Sequence, residues 1–184
     1  MSIGSYAGIG SRKINKKEES RITRISRQLS EIGVILYSGN ADGADMTFQR
    51  ASKGQCVVML PWNSFNADKY NLKEDTLASY DMGGSKIGSK YTLKFHPNPA
   101  ALSRGAKLLM NRNAHQILGV DGTEYKHVDF VVCCADVDKY GKVQGGTGHA
   151  VRIATSLKIP VINIRCDDWL INLKKIIKDL KNHS

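Results

Sequence analysis

The stretch SYAGIGSRKINKKEESRITRISRQLSEIGVILYSGNADGAD, residues 5–45, decides the fold. Ser5–Gly8 is short and apolar enough for a first strand, and Val34–Tyr37 predicts a second, buried strand. Between them Asn15 can cap a helix, Glu18 stands three residues later as in a capping box, and Gly33 can end the helix. The apolar residues of this helix recur at helical spacing, so one face packs inward. This order predicts two parallel strands joined by a crossover helix.

The rest of the chain repeats the alternation of strands and helices. Further strands are predicted at Cys56–Leu60, Phe130–Cys134 and Pro160–Ile164. Further helices are predicted at Met46–Ser52, at Pro99–Leu118, at Gly145–Leu157 and after Asp167 or Asp168. The fold class is therefore α/β: one domain over residues 1–184, with a Rossmann-like, doubly wound, mostly parallel sheet of about five strands and helices on both faces.

The alternation weakens in an irregular excursion at about residues 62–97. A helix is expected within Asn66–Tyr80, while Gly83-Gly84-Ser85 and Gly88-Ser89 predict a flexible loop. A long irregular segment inside a compact domain is usually functional or disordered.

Charge is the unusual bulk property of this chain. Its 184 residues include 27 Lys and Arg against 17 Asp and Glu, a formal net charge of +10. Such an excess suggests an anionic partner, namely nucleic acid, a nucleotide or a phosphorylated small molecule, although a merely solvated basic surface is the alternative. No apolar run approaches the ~20 residues of a membrane span, and residues 1–12 lack the pattern of a secretory signal. We expect a cytoplasmic protein, in the host cytoplasm if phage-encoded.

The four cysteines argue against metal and redox chemistry. Cys56, Cys133, Cys134 and Cys166 show no C-x-x-C spacing, so neither a zinc site nor a redox pair is suggested. We expect buried thiols in a reducing compartment, no metal and no cofactor. The adjacent Cys133 and Cys134 should point to opposite faces of a strand.

A first glycine-rich segment follows the first predicted strand, at the sheet edge where ligands bind in such folds. Gly8 and Gly10 allow close approach of a phosphate, Ser11 can donate a hydrogen bond, and Arg12 can clamp oxygens in a bidentate manner. The third glycine of a dinucleotide fingerprint is missing, and no acidic residue ends the second strand, which argues against an ordinary NAD-binding domain.

A second segment, SGNADGAD at residues 38–45, follows the second strand. Its candidate ligand-binding residues are Ser38, Gly39, Asn40, Asp42 and Asp45, and the two carboxylates could accept hydrogen bonds from a ribose or a base. Alternatively, Asp45 is a helix cap and Asp42 a turn former.

A third segment is the strongest local signal. Three glycines in four residues open a helix whose amides would point at the same edge, which is a ready-made phosphate site. The candidate residues are Gly145, Gly146, Thr147, Gly148 and His149.

Polar residues also interrupt the helical pattern before residue 118. Arg112 could reach a phosphate and Asn113 could contact a base or sugar edge, unless this is a surface helix without a role.

Short motifs in a fixed order carry a family resemblance across residues 5–164. They are GIGSR (8–12), SGNADGAD (38–45), Pro-Trp (61–62), His-Pro (96–97), RNxxQxLG (112–119), GGTxxAxxxA (145–154) and IPVxN (159–163). This combination resembles the SLOG superfamily, in particular its small phage-encoded DprA-like members. The resemblance implies a Rossmann-like fold and a nucleotide or nucleotide-derived ligand at the loops of Gly10, Gly39 and Gly145–Thr147. Because such relatives are often homodimers, it also implies a dimer.

The resemblance leaves three functions open, of which we expect the first. The first is binding of a nucleotide-like small molecule for sensing or sequestration. The second is single-stranded DNA binding as a DprA-like recombination mediator. The third is hydrolysis of nucleoside monophosphates, as in the related LOG enzymes, in which Asp42, Asp45 or His149 would have to act. The LOG motif PGGxGTxxE ends in a catalytic Glu, and Arg152 stands at that position here. This departure disfavours the third function and leaves open whether the protein is an enzyme.

Overall fold

Six strands and six α-helices make up the computed structural model, which describes residues 3–122 and 126–182. The strands are β1 (Gly4–Gly10), β2 (Val34–Ser38), β3 (Cys56–Leu60), β4 (Ala78–Asp81), β5 (Phe130–Cys134) and β6 (Val161–Asn163). The helices are α1 (Lys16–Glu31), α2 (Ala44–Ala51), α3 (Lys86–Phe95), α4 (Arg104–Leu118), α5 (Gly145–Ser156) and α6 (Trp169–Asn182), with a 3-10 turn at Pro99–Ala101. The predicted α/β fold class is confirmed.

All six strands run parallel in one sheet, in the order β4-β3-β2-β1-β5-β6. From β1 the strands are added outward on one side to β4. The chain then crosses to the other side of β1, where it forms β5 and the edge strand β6. Ala7 of β1 accordingly lies opposite Tyr37 of β2 and Val131 of β5. The winding reverses between β1 and β5, and in open α/β sheets such a reversal opens a ligand-binding crevice at the carboxyl ends of the strands.

Helices cover both faces of the sheet, as predicted. On one face α1, α2 and α6 pack around Tyr6, Phe48 and Trp169. On the other face α3, α4 and α5 pack around Ile9, Ile117 and Ile153. Each face buries an apolar stripe of its helices, which is the burial that stabilises a three-layer α/β domain.

The glycines at the end of β1 permit close packing of α2. A Cβ at Gly8 would come within 2.7 Å of the Phe48 ring, and a Cβ at Gly10 within 2.9 Å of the Ala44 side chain. β1 extends to Gly10, two residues beyond its predicted end at Gly8, so both glycines lie inside the strand.

The signals that predict α1 are confirmed. The Asn15 side chain accepts a hydrogen bond from the Glu18 amide, and the Glu18 side chain accepts one from the Asn15 amide. Gly33 follows the helix with a φ of 82°, a left-handed conformation that glycine adopts without strain. Reciprocal capping satisfies two amides of the first turn that the helix itself leaves free.

The prediction for residues 62–97 is wrong in two places. No helix forms within Asn66–Tyr80; this part consists of turns followed by β4, a sixth strand that pairs with β3 through Val57 and Ala78. Of the expected flexible loop, Gly83 and Gly84 lie in a turn, whereas Gly88 and Ser89 belong to α3, whose cap Ser85 accepts from the Gly88 amide.

Three of the four cysteines are buried, as expected, whereas Cys166 is exposed. Cys134 belongs to the core on the α1 face and Cys133 to the core on the α4 face, which confirms their opposite orientation. Across residues 3–122 and 126–182, no helix combines the length and the apolarity that a membrane crossing requires.

Candidate functional site

A cleft of about 500 Å³ opens at the switch point between β1 and β5. Its walls come from the loop after β1, the start of α2, the inner side of α4, the end of β5 and the first turn of α5. Its polar lining residues are Ser11, Arg12, Lys13, Asp45, Arg112, Asn113, Gln116, Asp136, Gln144 and Thr147. The topology therefore brings residues far apart in sequence to one edge of the sheet.

The loop after β1 is held in a fixed turn. The Ser11 hydroxyl donates to the Lys13 carbonyl at 2.8 Å and accepts from the Lys13 amide at 3.0 Å. The Ser11 carbonyl accepts from the Ala44 amide at 3.0 Å, which ties this loop to α2. The Ser11 hydroxyl is thus engaged within the turn, while the neighbouring Arg12 and Lys13 are exposed.

A buried ion pair forms the floor of the cleft. Arg112 Nη1 lies 3.5 Å from Asp45 Oδ2, and both side chains are less than a tenth exposed. The guanidinium also lies over the Phe65 ring, 5.6 Å from its centroid. It crosses directly above Gly39, where a Cβ would overlap it. The Arg112 guanidinium therefore occupies the space that a side chain at residue 39 would need, and only glycine leaves this space free.

Burial shifts the pKa values of Asp45 and Arg112 toward their uncharged forms. Burial raises the pKa of Asp45, against the opposing influence of Arg112, the amides of Ala41 and Gly10, and the Gln116 side chain. Burial likewise lowers the pKa of Arg112, and the nearby Arg12 acts in the same direction. Across the described residues, Arg112 Nε is buried and has no hydrogen-bond partner. Protein groups thus satisfy only part of the hydrogen-bonding capacity of the buried Arg112 guanidinium.

The first turn of α5 forms the opposite wall. The first amides of a helix have no partner within the helix, and no side chain caps those of α5 among the described residues. Gly145 has a φ of 66°, and a Cβ there would meet nothing within 4 Å, so the wall stays open. Asn113 Nδ2 donates to the Gly146 carbonyl at 3.1 Å and fixes α5 against α4. Free amides at a helix N-terminus favour an anion.

Arg165, which follows β6, joins three parts of the rim. Its guanidinium bonds Glu18 of α1 at 2.7 Å, Asp136 after β5 at 2.7 Å and the Lys13 carbonyl at 3.3 Å. The Arg165 side chain holds the pKa of Glu18 below its usual range. Asp136, the exposed carboxylate of the cleft, is thereby paired with a cation that it shares with Glu18.

Arg12 and Lys13 are the exposed cations at the mouth. In the part of the chain that the structure describes, neither lies within 4.0 Å of a carboxylate. Both residues also line a second groove, between α1 and α2, whose charged residues include Arg50 and Lys69. The cleft therefore adjoins a second basic groove.

The structure brings nine of the sixteen predicted ligand-binding residues into the cleft. They are Gly10, Ser11, Arg12, Asp45, Arg112, Asn113, Gly145, Gly146 and Thr147.

The other seven do not line the cleft. They are Gly8, Ser38, Gly39, Asn40, Asp42, Gly148 and His149. Ser38 donates to the Gly8 carbonyl inside the sheet, and Asn40 exchanges hydrogen bonds with Gln49. Asp42 pairs with Lys69 in the second groove at 2.8 Å.

Gly39 lies under the Arg112 guanidinium, and Gly148 and His149 are buried residues of α5. A Cβ at Gly148 would overlap the Val143 carbonyl. His149 is fully buried, and burial, the largest cause, lowers its pKa to about 4. His149 is therefore uncharged at neutral pH and carries no charge toward a phosphate.

Four polar cleft residues fall outside the predicted set, namely Lys13, Gln116, Asp136 and Gln144, and so does Arg165, which joins three parts of the rim. Gln116 follows Arg112 by one helical turn and shares its face, so the spacing was a usable signal. Gln116 Nε2 donates to Asp45 Oδ2 at 3.4 Å. No local signal marks Arg165, because its three partners come from distant segments.

The carboxylates available for LOG-type hydrolysis are constrained. Arg152, at the position of the catalytic Glu, donates through Nε to the Phe95 carbonyl at 2.7 Å, away from the cleft. Asp42 lies outside the cleft and Asp45 is paired with Arg112. Glycosidic cleavage needs a carboxylate free to stabilise an oxocarbenium-like centre, and neither of these aspartates is in that state.

No protein-family model matches the sequence, and no curated protein matches it. Solved structures of two DNA processing proteins are among those similar to the chain. One is DNA processing protein A from Helicobacter pylori, described for its unique single-stranded DNA binding mode, with a TM-score of 0.53 and 15% identity over 88% of this chain and 65% of that chain. The other is DprA from Streptococcus pneumoniae, with a TM-score of 0.48 and 13% identity over 96% of this chain and 56% of that chain.

The chain thus spans 65% of the length of the first neighbour. The likeness shows a DprA-like, Rossmann-like fold. The phage origin, the LOG-related chemistry and the dimer that the sequence resemblance implied stay predictions.

Proposed function

We propose that the protein binds single-stranded DNA, with a backbone phosphate held in the cleft between the loop after β1 and the first turn of α5. The observation that carries the proposal is the open, unpaired pair of cations Arg12 and Lys13, facing uncapped helix amides across the cleft. Cations and helix N-termini are the groups that contact nucleic-acid phosphates.

Three further observations support a polymer as the ligand. The cleft adjoins a second basic groove across the shared residues Arg12 and Lys13, so a strand bound in the cleft can extend over them into that groove. The net charge of +10 favours a polyanion. The structural neighbour from Helicobacter pylori is described as binding single-stranded DNA.

A free nucleotide is the second candidate ligand. A cleft of about 500 Å³ lies within the size range of small-molecule sites, and its buried floor offers polar groups for a base or ribose. Release of a nucleotide from the purified protein on denaturation, detected by mass spectrometry, would support this candidate.

The test is fluorescence anisotropy with a labelled oligothymidylate of about 16 nucleotides, a length at the upper end of single-strand site sizes. Arg12→Ala should weaken binding about tenfold, since it removes a charge-assisted contact. It should also lower the slope of log affinity against log salt by about 0.7, the value for one phosphate contact on a single strand.

Lys174→Ala is the matched control, because Lys174 is an exposed cation on α6 that lines no part of the cleft. It should leave both quantities nearly unchanged. Equal effects of the two variants would contradict the proposal, because they would indicate nonspecific attraction by the whole surface.

A further inference from the structure

Three grooves run consecutively across the α1 side of the molecule. The cleft and the second groove share Arg12 and Lys13. The second groove and a third, along α1, share Glu19. These shared walls make the three grooves neighbours, and together they form a surface path, here called the channel, that begins in the cleft and ends beyond the middle of α1.

The third groove follows one straight face of α1. Its lining includes Lys16, Ser20, Arg24 and Arg27, which lie four, four and three residues apart and therefore stand above one another on the helix. From Lys16 to Arg27 this face is roughly 16 Å long at 1.5 Å per residue. The three cations Lys16, Arg24 and Arg27 thus form a row along one face of α1.

The channel carries unpaired positive charge along its whole length. Apart from Lys69, which pairs with Asp42, its exposed cations are the six residues Arg12, Lys13, Lys16, Arg24, Arg27 and Arg50. Within residues 3–122 and 126–182, none of them lies within 4.0 Å of a carboxylate. By contrast, Arg21 on the same helix donates to the Ile164 carbonyl and lies over the Trp169 ring, so it belongs to the contact with α6.

We infer that the bound DNA strand leaves the cleft past Arg12 and Lys13, crosses the groove beside Arg50 and follows α1 along Lys16, Arg24 and Arg27. This inference rests on the proposed function of the cleft. It extends the contact from one phosphate to a row of phosphates, and it makes α1 a second, sequence-independent binding surface.

A flexible single strand is the polyanion that fits this channel. Its backbone can bend from the cleft into the groove between α1 and α2 and then onto an exposed helix face. Lysine and arginine on such a path bind phosphates without reading the bases, so the path lengthens the binding site without adding sequence preference.

The channel predicts that Arg24 and Arg27 act only on long ligands. Affinities are measured by anisotropy across salt with oligothymidylates of about 4 and about 16 nucleotides. The variant Arg24→Ala/Arg27→Ala should keep the affinity of the short oligonucleotide. For the long one it should lower affinity at least tenfold and the salt slope by about 1.4, equal to two phosphate contacts at about 0.7 each.

The matched control is Lys174→Ala/Lys178→Ala, which removes two exposed cations four residues apart on α6. Both double variants replace surface residues by the best helix former, so their folding should be preserved. The control should change neither the affinity nor the salt slope of the long oligonucleotide.

A gain-of-function variant gives an independent test. Glu19 is a carboxylate in the path, shared by the second and third grooves. Glu19→Gln should therefore tighten binding of the long oligonucleotide several-fold and leave the short one unchanged.

The outcomes separate the two proposals. One outcome is that the short oligonucleotide binds with an affinity that Arg12→Ala lowers, while the α1 variants leave the affinity of the long one unchanged. This result would overturn the path along α1 and support binding in the cleft. A long duplex or an acidic peptide that depends on Arg24 and Arg27 more strongly than the single strand does would also overturn the path. If neither oligonucleotide binds, both proposals fail.

Discussion

At the residue scale, the Arg112–Asp45 pair is a structural element as well as the floor of the candidate site. Both side chains are nearly inaccessible, and their separation of 3.5 Å is long for a direct ion pair. Such a pair adds little net stability, since desolvation offsets the attraction, but the loss of one partner leaves an uncompensated buried charge.

We expect Arg112→Met to lower the free energy of unfolding by about 3–5 kcal/mol, because Asp45 then stays buried without its cation. The double variant Arg112→Met/Asp45→Asn should recover a large part of this loss, since the neutral amide still accepts from Gln116. Urea unfolding followed by circular dichroism measures both. A double variant no more stable than Arg112→Met would show that the pair is not energetically coupled.

Variants of the two cleft arginines therefore distinguish an effect on folding stability from an effect on ligand binding. Arg112 cannot be removed without disturbing the floor, whereas the exposed Arg12 can. Binding losses in Arg12 variants report on ligand contact, and those in Arg112 variants must first be corrected for unfolding.

At the scale of elements, local signals predicted α1 well and α3 not at all. The capping residues and apolar spacing of α1 are local, so a single sequence reveals them. In α3, Gly88 suggested a flexible loop, yet a Cβ there would lie 2.5 Å from the Asn111 carbonyl of α4. The glycine is needed for close helix packing, which is a tertiary cause invisible in the sequence alone.

β4 escaped prediction for a related reason. It is an edge strand of four residues, three of them exposed, so it lacks the apolar run that marked the central strands. Its place is fixed by pairing with β3. The site shows the same contrast between local signals and tertiary contacts. The glycine-rich loops after the strands could be predicted from the sequence, whereas the role of Arg165 depends on contacts between distant segments.

Two glycine substitutions test this account of α3. Gly88→Ala should destabilise the protein by about 1–3 kcal/mol, because the added methyl group overlaps the α4 backbone. Gly105→Ala, at a helical position of α4 with nothing within 4 Å of a Cβ, should stabilise it by up to about 1 kcal/mol through helix propensity.

Thermal unfolding of the two variants measures both effects. If Gly88→Ala also raised the unfolding temperature, α3 and α4 would not pack closely, and the flexible-loop prediction would be restored.

At the scale of the whole molecule, topology and charge favour the same location. The winding reverses between β1 and β5, and the exposed cations of the channel begin at that point and continue along α1. The net charge of +10 alone indicated only some anionic partner. Its distribution, known only from the fold, favours a strand of DNA over a single nucleotide.

The most direct test of the central claim is hydrogen–deuterium exchange of the protein with and without an oligothymidylate of about 16 nucleotides. Binding of the strand in the cleft should slow exchange in the segment from Ser11 to the start of α1 and in the first turn of α5. Protection confined to a different groove, beside β6 and lined by Val143 and Trp169, or no protection at all, would contradict the proposal.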